Sequence, residues 1–192
     1  MNRLDPRLPL VFDLQELGRR PGSMLTMSRT VEAPADLGTD VIAVPPGQPI
    51  ELDVRFESVV EGVLVTGSAR ATAVGACVRC LDRADQPVEA RFQELFAYAD
   101  RAAHHHEVGA PEDEEDVYEL EGDLLDLEPV LRDAVVPSLP FQPVCREDCP
   151  GLCPQCGARL ADDPDHQHDV IDPRWAALRD LAAPSSTDEK RN

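Results

Sequence analysis

The sequence predicts an α+β fold: an antiparallel β-sheet built as a meander, one helix packed on it, and a small cysteine-rich lobe at the C-terminal end. Three observations carry that reading. Apolar and charged residues alternate through Ile50-Glu51-Leu52-Asp53-Val54-Arg55-Phe56, the period-two mark of a half-buried strand. Leu127, Val130, Leu131, Ala134 and Val135 recur at the spacing of one helical face. Cysteines cluster as Cys77-x2-Cys80 and Cys145-x3-Cys149-x3-Cys153-x2-Cys156.

Taken in order, residues 8–14 and 25–31 read as short strands separated by the turn-prone Arg19-Arg20-Pro21-Gly22-Ser23. Residues 41–44 form another before Pro45-Pro46-Gly47. The alternating segment at Ile50 is followed by a turn at Glu61-Gly62 and a long strand over residues 63–74, rich in small and β-branched side chains. Val88, Ala90 and Phe92 then alternate with Glu89, Arg91 and Gln93 in a strand reaching Phe96. Three consecutive strands with short turns make the meander, and the core of the fold. Residues 100–116 read as a disordered acidic loop. Beyond it Asp126 is placed to cap a helix, Pro129 fits its first turn, and Pro137 and Pro140 end it. A short helix from about Pro173 closes the cysteine-rich lobe, and residues 183–192 form a polar tail. The organisation expected is thus sheet core 1–99, acidic loop 100–122, helix 123–140, lobe 141–182 and tail 183–192.

Charge narrows the function. In 192 residues, 18 Lys and Arg face 37 Asp and Glu, for a formal net charge of -19. General attraction to a phosphate backbone is excluded. Much of the imbalance is local: Glu107, Glu112 to Asp116, Glu119, Glu121, Asp123, Asp126 and Glu128 lie in a stretch without Lys or Arg. No apolar run is long enough for a membrane span. The charged, proline-bearing N-terminal stretch is unlike a secretory signal, so a cytoplasmic protein is expected.

The six cysteines carry the chemistry. In a reducing compartment a disulfide framework is disfavoured, and C-x2-C spacing suits thiolate ligation of zinc. Gly157, after Cys153-Pro154-Gln155-Cys156, permits the positive φ such a knuckle needs. Cys77 and Cys80 sit between the second and third meander strands, at a hairpin tip. Of five histidines, three form His104-His105-His106, while His166 and His168 follow closely after Cys156. Cys77, Cys80, Cys145, Cys149, Cys153, Cys156, His166 and His168 are therefore the candidate ligands for one or two structural Zn2+ ions, and the lobe reads as zinc-ribbon-like.

These residues resemble a known family. Cys77-Val78-Arg79-Cys80-Leu81, Phe92-Gln93-Glu94-Leu95-Phe96, Ser138-Leu139-Pro140, the string from Cys145 to Gly157, and Ile171-Asp172-Pro173-Arg174 with Leu178 look like the YceD family. Its members are bacterial proteins implicated in accumulation of 23S ribosomal RNA, with plastid counterparts. Relatives often carry Cys-x-Cys where this chain has His166 and His168, which supports a metal-facing role there. Some members keep the first knuckle but have a degraded C-terminal string. The resemblance thus implies one site of Cys77, Cys80, Cys145 and Cys149, and another of Cys153, Cys156, His166 and His168. A rival grouping unites Cys145, Cys149, Cys153 and Cys156 in one local site.

No catalytic role is expected. The chain has no G-x-S-x-G, phosphate-binding glycine loop or H-E-x-x-H motif, and zinc with four protein ligands has no open position for water. No small-molecule substrate or membrane partner is expected either. The resemblance implies a factor supporting 23S rRNA synthesis, processing or stability. Its expected partner is a large-subunit precursor, met through a basic ribosomal protein or by direct 23S rRNA contact. The alternative is a zinc-ribbon protein-interaction or transcription-associated factor without a ribosomal role. Arg146, Arg159, Arg174 and Arg179 are the arginines that could touch RNA, unless they pair with Glu147, Asp148, Asp162, Asp163 and Asp172.

Overall fold

The structure, a computed structural model, describes residues 4–101, 118–168 and Arg174. Its elements are β1 (Val11–Asp13), β2 (Met24–Glu32), β3 (Leu37–Gly38), β4 (Ile42–Val44), β5 (Pro49–Ser58), β6 (Gly62–Ala76), β7 (Arg83–Ala97), β8 (Tyr118–Glu119), β9 (Leu124–Asp126) and helix α1 (Glu128–Ser138). The acidic run at 112–116, the histidine run at 104–106, the closing helix and the polar tail lie outside the described residues.

The expected meander is present. β5, β6 and β7 pair antiparallel in sequence order, with β6 and β7 aligned from Gly62↔Ala97 to Ala76↔Arg83. β5 and β4 lie end to end along the other edge of β6, at Glu51↔Arg70 and Ala43↔Val74 respectively. β2 pairs β5 and β3 pairs β4, so each of the two outer tracks is interrupted, one at residues 33–36 with Pro34 and the other at residues 45–48 with Pro45 and Pro46. The interruption follows from proline, which donates no ladder hydrogen bond. β8 adds a short parallel pair to the end of β7.

Alternation decides which face is covered. Ile50, Leu52, Val54 and Phe56 of β5 are buried, together with Val88, Ala90 and Phe92 of β7. Gly67, opposite Phe92, provides room for the ring: a Cβ there would stand 2.6 Å from Phe92 Cζ. Leu127 and, on α1, Val130, Leu131 and Val135 join this core, and β1 and β9 form a separate two-stranded ribbon against it. Phe12 of β1 meets Phe56 with ring centroids 5.2 Å apart. Burying each such Phe or Leu stabilises by roughly 1.5–3 kcal/mol.

Two local expectations need correction. Leu127 rather than Asp126 is the N-cap, and Asp126 Oδ1 accepts the Glu128 N–H one position earlier, at 3.0 Å. Pro137 lies inside α1, whose last turn is completed by Ser138 Oγ donating to the Val135 carbonyl at 2.7 Å. The ring is accommodated because only the N–H of residue 137 is lost, at the frayed end of the helix. Arg132 fastens α1 to the connection between β2 and β3 by donating to the carbonyls of Ala35 and Asp36. The chain divides into two compact units, Met1–Cys149 and Pro150–Asn192.

Candidate metal centres

The first candidate centre is built at the tip of the β6–β7 hairpin. Cys77 donates its N–H to the Asp82 carbonyl at 2.7 Å, and Leu81 N–H returns to the Cys77 carbonyl at 2.8 Å. Closing so tight a turn forces Leu81 to φ 64°, a left-handed conformation that strains a residue carrying Cβ by roughly 1–2 kcal/mol. Residues 143–149 dock on this tip. Val78 N–H donates to the Pro143 carbonyl at 2.9 Å, and Gln86 Nε2 to the Val144 carbonyl at 2.6 Å. Arg79 Nη1 spans the carbonyls of Glu147 and Cys149 at 3.0 and 3.1 Å.

That docking converges four sulfurs within 4.8 Å of one another: Cys77, Cys80, Cys145 and Cys149. Cys80 and Cys145 Sγ are 3.6 Å apart, and Cys77 and Cys149 Sγ 3.9 Å. Sulfurs bound tetrahedrally to zinc stand about 3.8 Å apart, so the spacing fits the ion. All but Cys145 are buried, with Ala84 and Val144 packed beside them. The N–H of Cys145 chiefly, then those of Cys80 and Arg79, point at the Cys77 sulfur and hold its thiol down at about 6. Cys80 receives the Asp82 N–H, which favours its thiolate. Burial and the thiols of Cys77, Cys145 and Cys149 outweigh that and push it up to about 12. Four crowded sulfurs cannot all ionise alone, and a divalent cation held there would resolve the conflict.

The second centre repeats the turn. Cys153 N–H donates to the Ala158 carbonyl at 2.8 Å, and Gly157 N–H to the Cys153 carbonyl at 2.9 Å. Gly157 occupies the left-handed position, at φ 72°. The N–H of Cys156 first, then that of Gln155, lower the Cys153 thiol to about 6. His166 and His168 bring Nε2 within 3.2 Å of Cys156 Sγ, and the two nitrogens are 2.8 Å apart. A tetrahedral zinc site asks for about 3.5 Å between sulfur and nitrogen and about 3.3 Å between nitrogens, so the imidazoles need only spread slightly. His166 Nδ1 faces Asp163 Oδ2 at 3.6 Å, as carboxylates orient metal-binding histidines. Cys153 is buried and His166 half-buried, whereas Cys156 and His168 are exposed.

Each cluster could hold a metal ion. The eight predicted residues fall into these two groups, with Cys145 and Cys149 apart from Cys153 and Cys156. Sequence reasoning missed Arg79, Gln86 and Asp163. Arg79 and Gln86 act on backbone carbonyls far away in sequence, and no periodicity marks such a contact. Asp163, three residues before His166, could have been noticed. Of the arginines considered for RNA, Arg146 pairs with Asp148 at 3.4 Å, and Arg179 lies outside the described residues. No helix among the described residues is long and apolar enough to cross a membrane.

Comparison with known proteins adds the family. An uncharacterized protein of Mycobacterium tuberculosis is 47% identical over 178 residues, covering 93% of this chain and 84% of its own length. One of Mycobacterium leprae is 43% identical over 189 residues, covering 96% of this chain and 85% of its own. No solved structure matches. The profile described as large ribosomal RNA subunit accumulation protein YceD spans residues 65–182, from within β6 through both cysteine clusters, and the chain belongs to the YceD family.

Proposed function

We propose that this protein is a non-enzymatic, cytoplasmic zinc-binding factor that supports accumulation of 23S rRNA during large-subunit biogenesis. The family description supports the ribosomal role. The observation that carries the zinc reading is the duplicated knuckle, each copy part of a four-residue ligand group of tetrahedral dimensions. One ion would be held by Cys77, Cys80, Cys145 and Cys149, the other by Cys153, Cys156, His166 and His168. Both are structural. The first fastens residues 143–149 to the sheet, and the second folds a zinc-ribbon-like lobe too poor in apolar residues to fold alone. The functional parts proposed from the sequence are 1–99, 100–122, 123–140, 141–182 and 183–192, whereas compactness divides the chain after Cys149.

With a net charge of -19 the protein meets the large-subunit precursor through a basic ribosomal protein, and Glu112 to Asp116 are the proposed contact. Elemental analysis of protein purified without added metal should approach two zinc equivalents per chain. Deleting the gene should lower 23S relative to 16S rRNA, and the protein should co-sediment with large-subunit precursors. An unchanged rRNA ratio under fast growth and in the cold overturns the ribosomal reading. Co-purification with RNA polymerase instead would favour a transcription-associated factor.

A further inference from the structure

Each centre has one exposed thiol, Cys145 in the first and Cys156 in the second, and the two differ in how much of the remaining ligand set is shielded. Three of the four sulfurs in the hairpin centre are buried, and the remaining one, Cys145, lies 3.6 Å from Cys80 Sγ. In the second centre Cys156 is exposed, its sulfur flanked by the two imidazole nitrogens at 3.2 Å. Its only thiol neighbour in the centre is Cys153, three residues earlier in sequence and within 4.8 Å. Asp163 lies 3.6 Å from His166 Nδ1, with Asp162 and Asp165 close by in sequence, and all three are exposed. Anionic oxidants and glutathione are disfavoured there, whereas a small neutral oxidant is not.

We infer that Cys156 is an oxidation site for hydrogen peroxide, with Cys153 as its resolving thiol, and that their disulfide expels the second zinc ion. The inference rests on the two-zinc reading above. The Cys156 thiolate attacks one peroxide oxygen, the O–O bond breaks, and the departing hydroxide takes a proton to become water. Cys156 is then a sulfenic acid. Cys153 attacks its sulfur, the S–S bond forms, and the second hydroxide leaves as water after protonation. Two thiolates lose two electrons and one peroxide gains them. Only the two histidines then remain to the zinc, which departs as the aqueous dication. The knuckle spacing allows the small approach that a disulfide requires. The hairpin centre, its sulfurs mostly shielded, reacts later.

Full-length zinc-loaded protein treated with excess hydrogen peroxide tests this, with zinc release followed by a chromophoric chelator and disulfides mapped by mass spectrometry. One zinc should leave at least roughly ten times faster than the other, with a loss of two hydrogens localised to the peptide joining Cys153 and Cys156. Amide exchange should rise in residues 150–168 and stay low in β5 to β7. Release of both ions together, or a first disulfide among Cys77, Cys80, Cys145 and Cys149, overturns the inference while leaving two zinc sites intact. A content of one zinc before peroxide overturns the two-site reading, and this inference with it. Cys156→His, which keeps a zinc-binding atom but no thiol, should abolish the fast phase. Cys145→Ser, which alters the other centre, should leave fast formation of the Cys153–Cys156 disulfide in place; its loss there also overturns the assignment.

Discussion

The turns at Cys77–Asp82 and Cys153–Ala158 share one backbone plan and differ in what surrounds them. Both close with the same pair of main-chain hydrogen bonds and aim N–H groups at the first cysteine. The first stands on a hairpin of two fifteen-residue strands and is backed by Val144 and Ala84. The second belongs to a unit in which most described side chains are exposed. One knuckle decorates a fold that its sheet already holds, whereas the other is most of the fold it belongs to. Strain follows support. Leu81 is tolerated at φ 64° where the hairpin over-determines the turn, while the unsupported copy uses Gly157 at φ 72°.

The largest expected effect breaks that comparison at the ligands. Changing Cys153 and Cys156 to Ser should remove one zinc equivalent and unfold residues 150–168. The binding free energy of a structural zinc, about 10 kcal/mol or more, is there the folding free energy. Changing Cys77 and Cys80 to Ser should also remove one equivalent, yet leave β5, β6 and β7 protected from amide exchange. Loss of that protection would make the hairpin as metal-dependent as the lobe.

A smaller effect belongs to Arg79. Arg79→Ala removes both hydrogen bonds to the Glu147 and Cys149 carbonyls and should cost about 1–2 kcal/mol at this partly exposed position. Chelator competition should weaken the hairpin centre about tenfold and leave the other centre unchanged. Equal weakening of both would contradict the assignment of Arg79 to the first.

Exchanging the left-handed residues is the finest test. A Cβ at Gly157 meets nothing within 4 Å, so Gly157→Leu should act through the backbone alone and lower lobe stability by about 1 kcal/mol. Leu81→Gly relieves strain but loosens the unfolded chain, for a net gain of about 0.5 kcal/mol in thermal unfolding. A destabilised Leu81→Gly would show that the Leu81 side chain makes contacts worth more than its strain.

Legibility in the sequence followed element length and locality. The meander was readable because β5 and β7 alternate cleanly, and α1 because its buried stripe keeps one helical face. The two- and three-residue strands β3, β8 and β9 were not, since so few residues carry no period and exist only through pairing with distant partners. β1 was expected over 8–14 and forms only at Val11–Asp13, where β9 is available to pair. β7 begins at Arg83, before Pro87, because that part of the strand is paired on one side only, by β6, and a missing N–H is tolerated there. The eight Cys and His that gather into the two groups were legible from residue type and spacing, which are those that suit a metal ion. The side chains that hold the two halves of the first centre together follow no such rule.

Separation along the chain gives the hairpin centre a place in time. Cys77 and Cys149 are 72 residues apart, whereas Cys156 and His166 are separated by 10. Closing the longer loop costs roughly 1.5 kcal/mol more entropy if the chain is otherwise unstructured. Folding of β6, β7 and α1 removes much of that cost before the ion arrives, because it carries residues 143–149 toward the hairpin tip. During synthesis the first knuckle therefore emerges early as an incomplete two-sulfur site and waits for its other half. The lobe's knuckle meets its histidines almost as soon as they leave the ribosome.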